Sequence, residues 1–373
     1  MKGIVIVSRG IEHIAAMEIN ELIHSDCKIE ESCVIFDLKK LSDLCLLCYK
    51  SQSADRIMYL IDSFNFSGFS NELENSIKKT KFDRWLTKLK KFKVECIRIG
   101  SHNFKSIDVA KKFVRLTKKY KKDFKFDNVD YKIIFLIYII DNKCYFGIDF
   151  AGFELNKRGY KIYLHPNSCR GTIAYALLRE SGFKSNEVLL DPFSRDGVIP
   201  IEAALYTLNF PVNYYKKDKF AFLKFLDLDF NKFFADIDKR IKYTKTKIYT
   251  YDHLFKYVDY SRKNAKIAGI DKQLNFSRVE LEWLDIKFKK ESVDKIVTRL
   301  PESKNTAIEK IYNEFFYQLE YILKRNGIIA LISRIPDVVK QYASKHNFAA
   351  AEEKSIWSGS EELKILIIKK KNI

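Results

Sequence analysis

Three stretches of the 373-residue chain gather side chains able to do chemistry. Arg98-Ile-Gly-Ser-His102-Asn-Phe-Lys105 sets a guanidinium, an imidazole and an ammonium within eight residues. Arginine offers a planar fork to phosphate oxygens and lysine a point charge, so this stretch suits a polyanion. Asp191-Pro192-Phe193-Ser194-Arg195-Asp196-Gly197 lies between a short apolar strand and a helix. Glycine there lets the backbone approach a ligand, and the helix N-terminus favours an anion. Arg299-Leu300-Pro301-Glu302 closes a further strand. In that loop Arg299 brings donors and no acceptor, whereas an ionised Glu302 only accepts.

Charge places a partner on the first half. The formal net charge is +19, and Lys78 to Lys122 holds 17 Lys and Arg against Asp83, Glu95 and Asp108. So local an excess favours a phosphate-contacting face, with Lys112 and Arg115 on it, because each neutralised phosphate releases counterions. An exposed lysine-rich surface with no partner is the alternative. An anionic membrane is disfavoured, since no strongly apolar face or lipidation signal accompanies the charge. At 47% hydrophobic residues the chain packs as globular domains. No apolar run approaches eighteen residues and the N-terminus shows no cleavage site, so a cytoplasmic protein is expected. Cys45 and Cys48 have CxxC spacing without a second pair; they read as buried reduced thiols, and no metal is expected.

The elements that must hold these stretches follow from periodicity. Strand Gly3–Ser8, helix Glu12–Ile23, strand Cys33–Leu38, helix Leu41–Lys50 and strand Arg56–Ile61 suggest a ferredoxin-like α+β domain over 1–65. A basic helical connector from Lys78 to Lys93, containing Trp85, leads into a second α/β unit, together 66–165. That unit has a strand at Val94–Ile99 and a helix at Ser106–Tyr120. A hairpin turns about Asp141-Asn142, between Tyr131–Ile140 and Lys143–Phe150. From 166 to 373 strands and helices alternate: strands near Glu187–Leu190, Lys247–Tyr251, Glu291–Thr298, Ile328–Ser333 and Leu363–Lys369. Helices lie between them, as in a doubly wound, Rossmann-like parallel sheet with its ligand crevice at the carboxyl ends of the strands.

Taken together these segments resemble the THUMP-containing tRNA guanine-N2 methyltransferases over nearly the whole chain. Arg98 to Ser106 is similar to that family's R-x-G-x-H-x-F-(T/S) signature, and Asp149 to Tyr160, ending Leu155-Asn-Lys-Arg158-Gly-Tyr160, to its junction. Asp191 to Ala204 looks like its motif D-P-x-C-G-S-G-T-I-P-I-E-A-A. The resemblance implies a THUMP module that grips tRNA through Arg98, His102 and Lys105, with Arg158 near the junction. It further implies an S-adenosylmethionine site at Asp191, Pro192, Phe193, Ser194 and Gly197. Asp252 would face the ribose, and Glu280, with Asp285 as the competing position, the adenine. Two departures stand out. Arg195 and Asp196 replace the motif's glycine and serine, and Arg195 can fill space that the methionine moiety needs. In place of (N/D)-(L/P)-P-(F/Y)-G, the chain has Arg299-Leu300-Pro301-Glu302. The usual Asn or Asp orients the attacking amine and the aromatic ring stacks on the flipped base; here only Glu302 offers a side-chain acceptor, for a guanine edge. Two readings stay open: an active, divergent RNA methyltransferase, or a non-catalytic tRNA-binding protein serving a protein partner.

Overall fold

The computed structural model describes residues 1–67, 69–80, 90–302 and 307–371. Trp85 and most of the expected basic connector lie outside them. Two compact units result: residues 1–7, 15–155 and 216–235 form the first, and 8–14, 156–215 and 236–373 the second.

In the first unit the elements run β1 (Lys2–Ile6), α1 (Glu12–Ile23), β2 (Cys27–Glu30), β3 (Cys33–Asp37), α2 (Ser42–Lys50) and β4 (Arg56–Asn65). They continue α3 (Phe69–Lys79), β5 (Lys91–Ile99), α4 (Ser106–Tyr120), β6 (Lys125–Phe126), β7 (Ile133–Ile140) and β8 (Lys143–Asp149). One eight-stranded sheet, ordered β2-β3-β1-β4-β8-β7-β5-β6, runs across the expected boundary at residue 65, because β4 pairs antiparallel with β8. β7, Ile-Ile-Phe-Leu-Ile-Tyr-Ile-Ile, is buried along its whole length, which explains its unbroken apolar run. Its turn into β8 places Asp141 at φ 45, and Gly100 at φ 100 passes so close that a Cβ would lie 2.5 Å from the Asp141 carboxylate. Residues 216–235 add a second aromatic layer, with Phe220 stacked on Phe222 at 4.7 Å and Tyr49 4.8 Å from Phe234, which belongs to α7 (Phe230–Asp238).

The second unit contains α5 (Gly171–Glu180), β9 (Leu189–Asp191), α6 (Val198–Thr207), β10 (Ile248–Asp252), α8 (Phe255–Ile267) and β11 (Asn275–Arg278). After them come α9 (Leu284–Lys287), β12 (Val293–Arg299), α10 (Ala307–Ile322), β13 (Leu323–Ser333), α11 (Pro336–Lys345), β14 (Phe348–Ser358) and β15 (Glu361–Lys370). The sheet order is β11-β10-β9-β12-β13-β15-β14. The first five strands are mutually parallel, as expected, but β15 is antiparallel to both neighbours. A hairpin turning at Gly359, φ 72, closes that edge. α10 presents Tyr312, Phe315, Phe316, Leu319 and Ile322 to the core beside Ile296, Ile329 and Leu331. The strand order reverses at β9 and β12, so their carboxyl ends open the crevice.

Candidate functional site

A cavity of about 800 Å³ opens at those carboxyl ends, and its wall includes Pro192, Phe193, Arg195, Asp252, Glu280 and Pro301. The loop after β9 is built from buried polar contacts. Asp191 Oδ1 accepts the Thr298 hydroxyl at 2.6 Å and the Phe193 N–H at 3.2 Å. Burial nevertheless pushes the Asp191 carboxyl up to about 7, against the lowering by these bonds and by Arg195. Gly197 opens α6 at φ 80, where a Cβ would lie 2.9 Å from that of Ser261. Asp252 steadies the loop from β10: Oδ2 accepts the Arg195 N–H and Oδ1 the Leu254 N–H, each at 3.0 Å.

The expected cofactor residues therefore divide. Pro192, Phe193, Asp252 and Glu280 line the cavity, and the competing position Asp285 does not. Asp191, Ser194 and Gly197 lie outside the lining and shape the loop; the Ser194 hydroxyl faces that of Ser261 at 3.4 Å. His165, Asn167, His253, Tyr257, Lys310 and Tyr317 line the cavity without having been anticipated. They come from loops and helices far apart in the chain, and no local motif marks them.

Asp191 carries a testable consequence. The folded pKa is raised above the unfolded value of 3.8, so between those two values the folded state binds the extra proton and stability falls as pH rises. Asp191→Asn keeps the shape and removes the ionisation. It is expected to be neutral near pH 4 and to stabilise by on the order of 2 kcal/mol at pH 8, read from denaturant melts at both values. Equal effects at the two pH values would refute it.

The catalytic-loop positions are rearranged around cations. Arg299, at the end of β12, is 5% exposed, and its Nη2 has no hydrogen-bond partner among the described residues; Glu302 Oε2 is 3.9 Å away. The Leu300 carbonyl accepts Arg195 Nη2 at 3.0 Å, and the Pro301 carbonyl accepts the Tyr312 hydroxyl at 3.0 Å. Glu302 is held by Arg334, whose backbone N–H donates to Oε1 at 2.6 Å and whose Nη1 lies 3.4 Å from Oε2. Its carboxylate is thus already occupied, on one side by a backbone amide and on the other by guanidinium. Burial and then the Arg195 and Arg299 charges push the cavity-lining His165 down to about 4, leaving it neutral near pH 7.

The first unit places the basic residues on α4 and the loop before it. Lys105 and Arg115 are exposed and Lys112 is half-buried, with Val109, Phe113 and Leu116 turned to the core. His102 is engaged inside the loop: Nε2 donates to the Asp141 carbonyl at 2.7 Å and Nδ1 accepts from Arg98 Nη1 at 2.9 Å. It therefore positions Arg98, whose guanidinium carbon lies 5.8 Å from the Phe104 ring centre. Beside them a cavity of about 580 Å³ is lined by Phe66, Phe69, Asn71, His102, Phe104 and Lys112. The expectation for Arg158 is corrected. Its side chain is buried, with Nε 2.7 Å and Nη2 3.2 Å from the two oxygens of Glu202, so the guanidinium faces protein and not phosphate.

A largely parallel sheet with a nucleoside-sized cavity at its switch point, on a chain that also bears a basic α/β unit, defines a Rossmann-type methyltransferase fold with an appended binding module. Residues 158–363, more than half the chain, match the RMKL-like methyltransferase domain family, and the chain belongs to that family. Residues 70–149 match the THUMP domain. The chain is 28% identical over 369 residues to the tRNA (guanine(6)-N2)-methyltransferase of Methanocaldococcus jannaschii, covering 95% of this chain and 96% of that one. It is 24% identical to the enzyme of the same name from Archaeoglobus fulgidus, covering 96% and 89%. The putative methyltransferase SMU.472, solved in complex with SAH, superposes with a TM-score of 0.81 at 19% identity, covering 100% and 98% of the two chains. TrmN from Thermus thermophilus gives 0.72 at 17%, covering 99% of each. Both superpositions show the shared fold. Among the described residues, no helix is long and apolar enough to cross a membrane, and no three His, Cys, Asp or Glu are grouped to hold a metal.

Proposed function

We propose that the chain is an RNA methyltransferase that acts on tRNA at a guanine exocyclic amine, in the cytoplasm, with S-adenosylmethionine as methyl donor. The observation that carries this reading is the end-to-end similarity to the Methanocaldococcus jannaschii enzyme, which spans both the THUMP match and the methyltransferase match. Residues at the nucleoside side of the cavity fit such a donor. Asp252 stands at the end of β10, where an acid meets ribose hydroxyls, and Phe193, Val279 and Leu281 offer apolar walls to an adenine. At the other side, the guanidinium of Arg195 stands where the motif of the resembling family has glycine. When bound, the donor would supply an electrophilic methyl group; the chain's own part is to hold the nucleoside, exclude water and orient the amine.

The basic face of α4 and its preceding loop would dock the RNA backbone. Reversing charge at Lys105, Lys112 and Arg115 together is expected to weaken tRNA binding by at least tenfold in low salt. The slope of log affinity against log salt should fall by about 2 to 3, as for three lost phosphate contacts. An unchanged slope in filter-binding titrations would remove this face from the interface. Methyl incorporation from labelled donor into unmodified tRNA, with the product mapped to the N2 of one guanine, tests the activity. The relatives' names favour the enzyme over a tRNA-binding protein that transfers nothing and serves a partner.

A further inference from the structure

Arg195 is built into an unusual place. Its backbone sits at φ 53, in the left-handed region that favours glycine, and burial closes all but 8% of the residue. The conformation is fixed on both sides: the N–H donates to Asp252 Oδ2, and the carbonyl accepts the Ser261 hydroxyl at 2.9 Å. From there the guanidinium crosses the end of the cavity. Nη1 donates to the Asn167 carbonyl at 3.3 Å and Nη2 to the Leu300 carbonyl at 3.0 Å. It thereby links the loop after β9, beside the nucleoside side, to the loop after β12, where an acceptor base would have to enter. Arg299 adds a second guanidinium, whose Nη2 has no hydrogen-bond partner among the described residues.

We propose that Arg195 is the specificity-determining residue at the sulfur end of the cavity, selecting a neutral thioether over a charged sulfonium. The demethylated adenosyl ligand is then held more tightly than the methylated one. This rests on the cofactor reading above and sharpens it. The two ligands differ by one methyl group and one positive charge, so interactions with ribose, adenine and carboxylate are common to both and leave the ratio of affinities unchanged. A sulfonium roughly 5 Å from one fixed guanidinium, at an effective dielectric near 20, loses on the order of a few hundredfold in affinity from that pair alone. The acids in the cavity wall, Asp252, Glu280, Glu282, Glu302 and Glu314, act in the opposite sense, and they are unchanged in the variants below, so a change in the ratio isolates Arg195.

Calorimetry on the full chain tests the proposal with S-adenosylmethionine and S-adenosylhomocysteine as separate titrants. Wild type should bind the homocysteine form at least tenfold tighter. Arg195→Gly suits the backbone angle and should cut that preference by at least tenfold, mainly by improving affinity for the sulfonium. Arg195→Met keeps the bulk without the charge and should cut the preference as well, which separates repulsion from crowding. A wild type that prefers the sulfonium overturns the inference, as does a preference that survives in both variants. Heat from neither ligand with any of the three proteins overturns the cofactor reading itself. Binding of both ligands with unaltered ratios leaves that reading standing and removes only Arg195.

Discussion

Glu202→Gln should lower the stability of the second unit by about 3–5 kcal/mol, the loss typical when one partner of a buried ion pair is removed. Glu202 lies on α6 and is fully buried. Its Oε1 accepts Arg158 Nε at 2.7 Å and the Tyr160 hydroxyl at 2.6 Å, and its Oε2 accepts Arg158 Nη2 at 3.2 Å. The amide would keep the shape but withdraw the carboxylate charge that faces the Arg158 guanidinium at two of its nitrogens in a closed space. That space has no slack, since a Cβ on Gly171 at the start of α5 would lie 2.6 Å from Arg158 Nε and 2.7 Å from Glu202 Oε1. Function should follow stability. The segment that Arg158 anchors continues to His165 and Asn167 in the cavity wall, and α6 carries the Arg195 loop at its N-terminus. Urea unfolding followed by the fluorescence of the second unit's tryptophans, Trp283 and Trp357, measures the loss. The pair Arg158→Met with Glu202→Leu should recover most of it, because an apolar pair leaves no charge behind. A loss under about 1 kcal/mol for the single variant would mean that water reaches the guanidinium.

How much of this could be read from residues alone depended on sequence distance. α4 was expected at Ser106–Tyr120 and is found there, since Val109, Phe113 and Leu116 recur at helical spacing and polar residues fill the rest. The Asp141-Asn142 hairpin was equally plain, because a two-residue turn between apolar runs is a local signal. β14 escaped notice. Phe348-Ala-Ala-Ala-Glu-Glu-Lys has the composition of a helix, and an edge strand with five consecutive exposed residues shows no strict alternation. The continuity of the first sheet was also hidden, because the β4–β8 pairing joins residues some eighty positions apart and leaves no mark in either strand. At the site, the motif resemblance located the loops after β9 and β12 but not the direction of their side chains. That Arg195 reaches the Leu300 carbonyl is a property of two loops 105 residues apart, fixed by a left-handed backbone angle that spacing does not reveal. Arg158 shows the converse. Its charge suited an RNA role and a structural ion pair equally, and the burial of Glu202 opposite it favours the ion pair.

Arg299→Asn should raise methyl transfer to tRNA by on the order of 100-fold, with little change in the KM for RNA. An amine attacking a methyl group must have its hydrogens accepted and its lone pair aimed, and at the end of β12 the wild-type side chain adds no acceptor to those the backbone offers. The Arg299 side chain has only donors, and the Leu300 carbonyl already accepts Arg195. Asparagine at the end of β12 restores a side-chain carbonyl in a strand whose pairing, Arg299 opposite Ile332, is unaffected by the side chain. It also removes one positive charge from the neighbourhood of the reacting methyl. The cost to the fold is small, since Arg299 Nη2 makes no hydrogen bond among the described residues and Glu302 keeps both of its contacts with Arg334. The split between kcat and KM is the informative readout. With RNA docked on the first unit's basic face, as proposed above, a variant that gained rate by binding RNA better would show its effect in KM instead. Single-turnover transfer from labelled donor, with wild type and variant at saturating tRNA, makes the comparison; equal or lower rates in the variant would show that another group already serves as the acceptor.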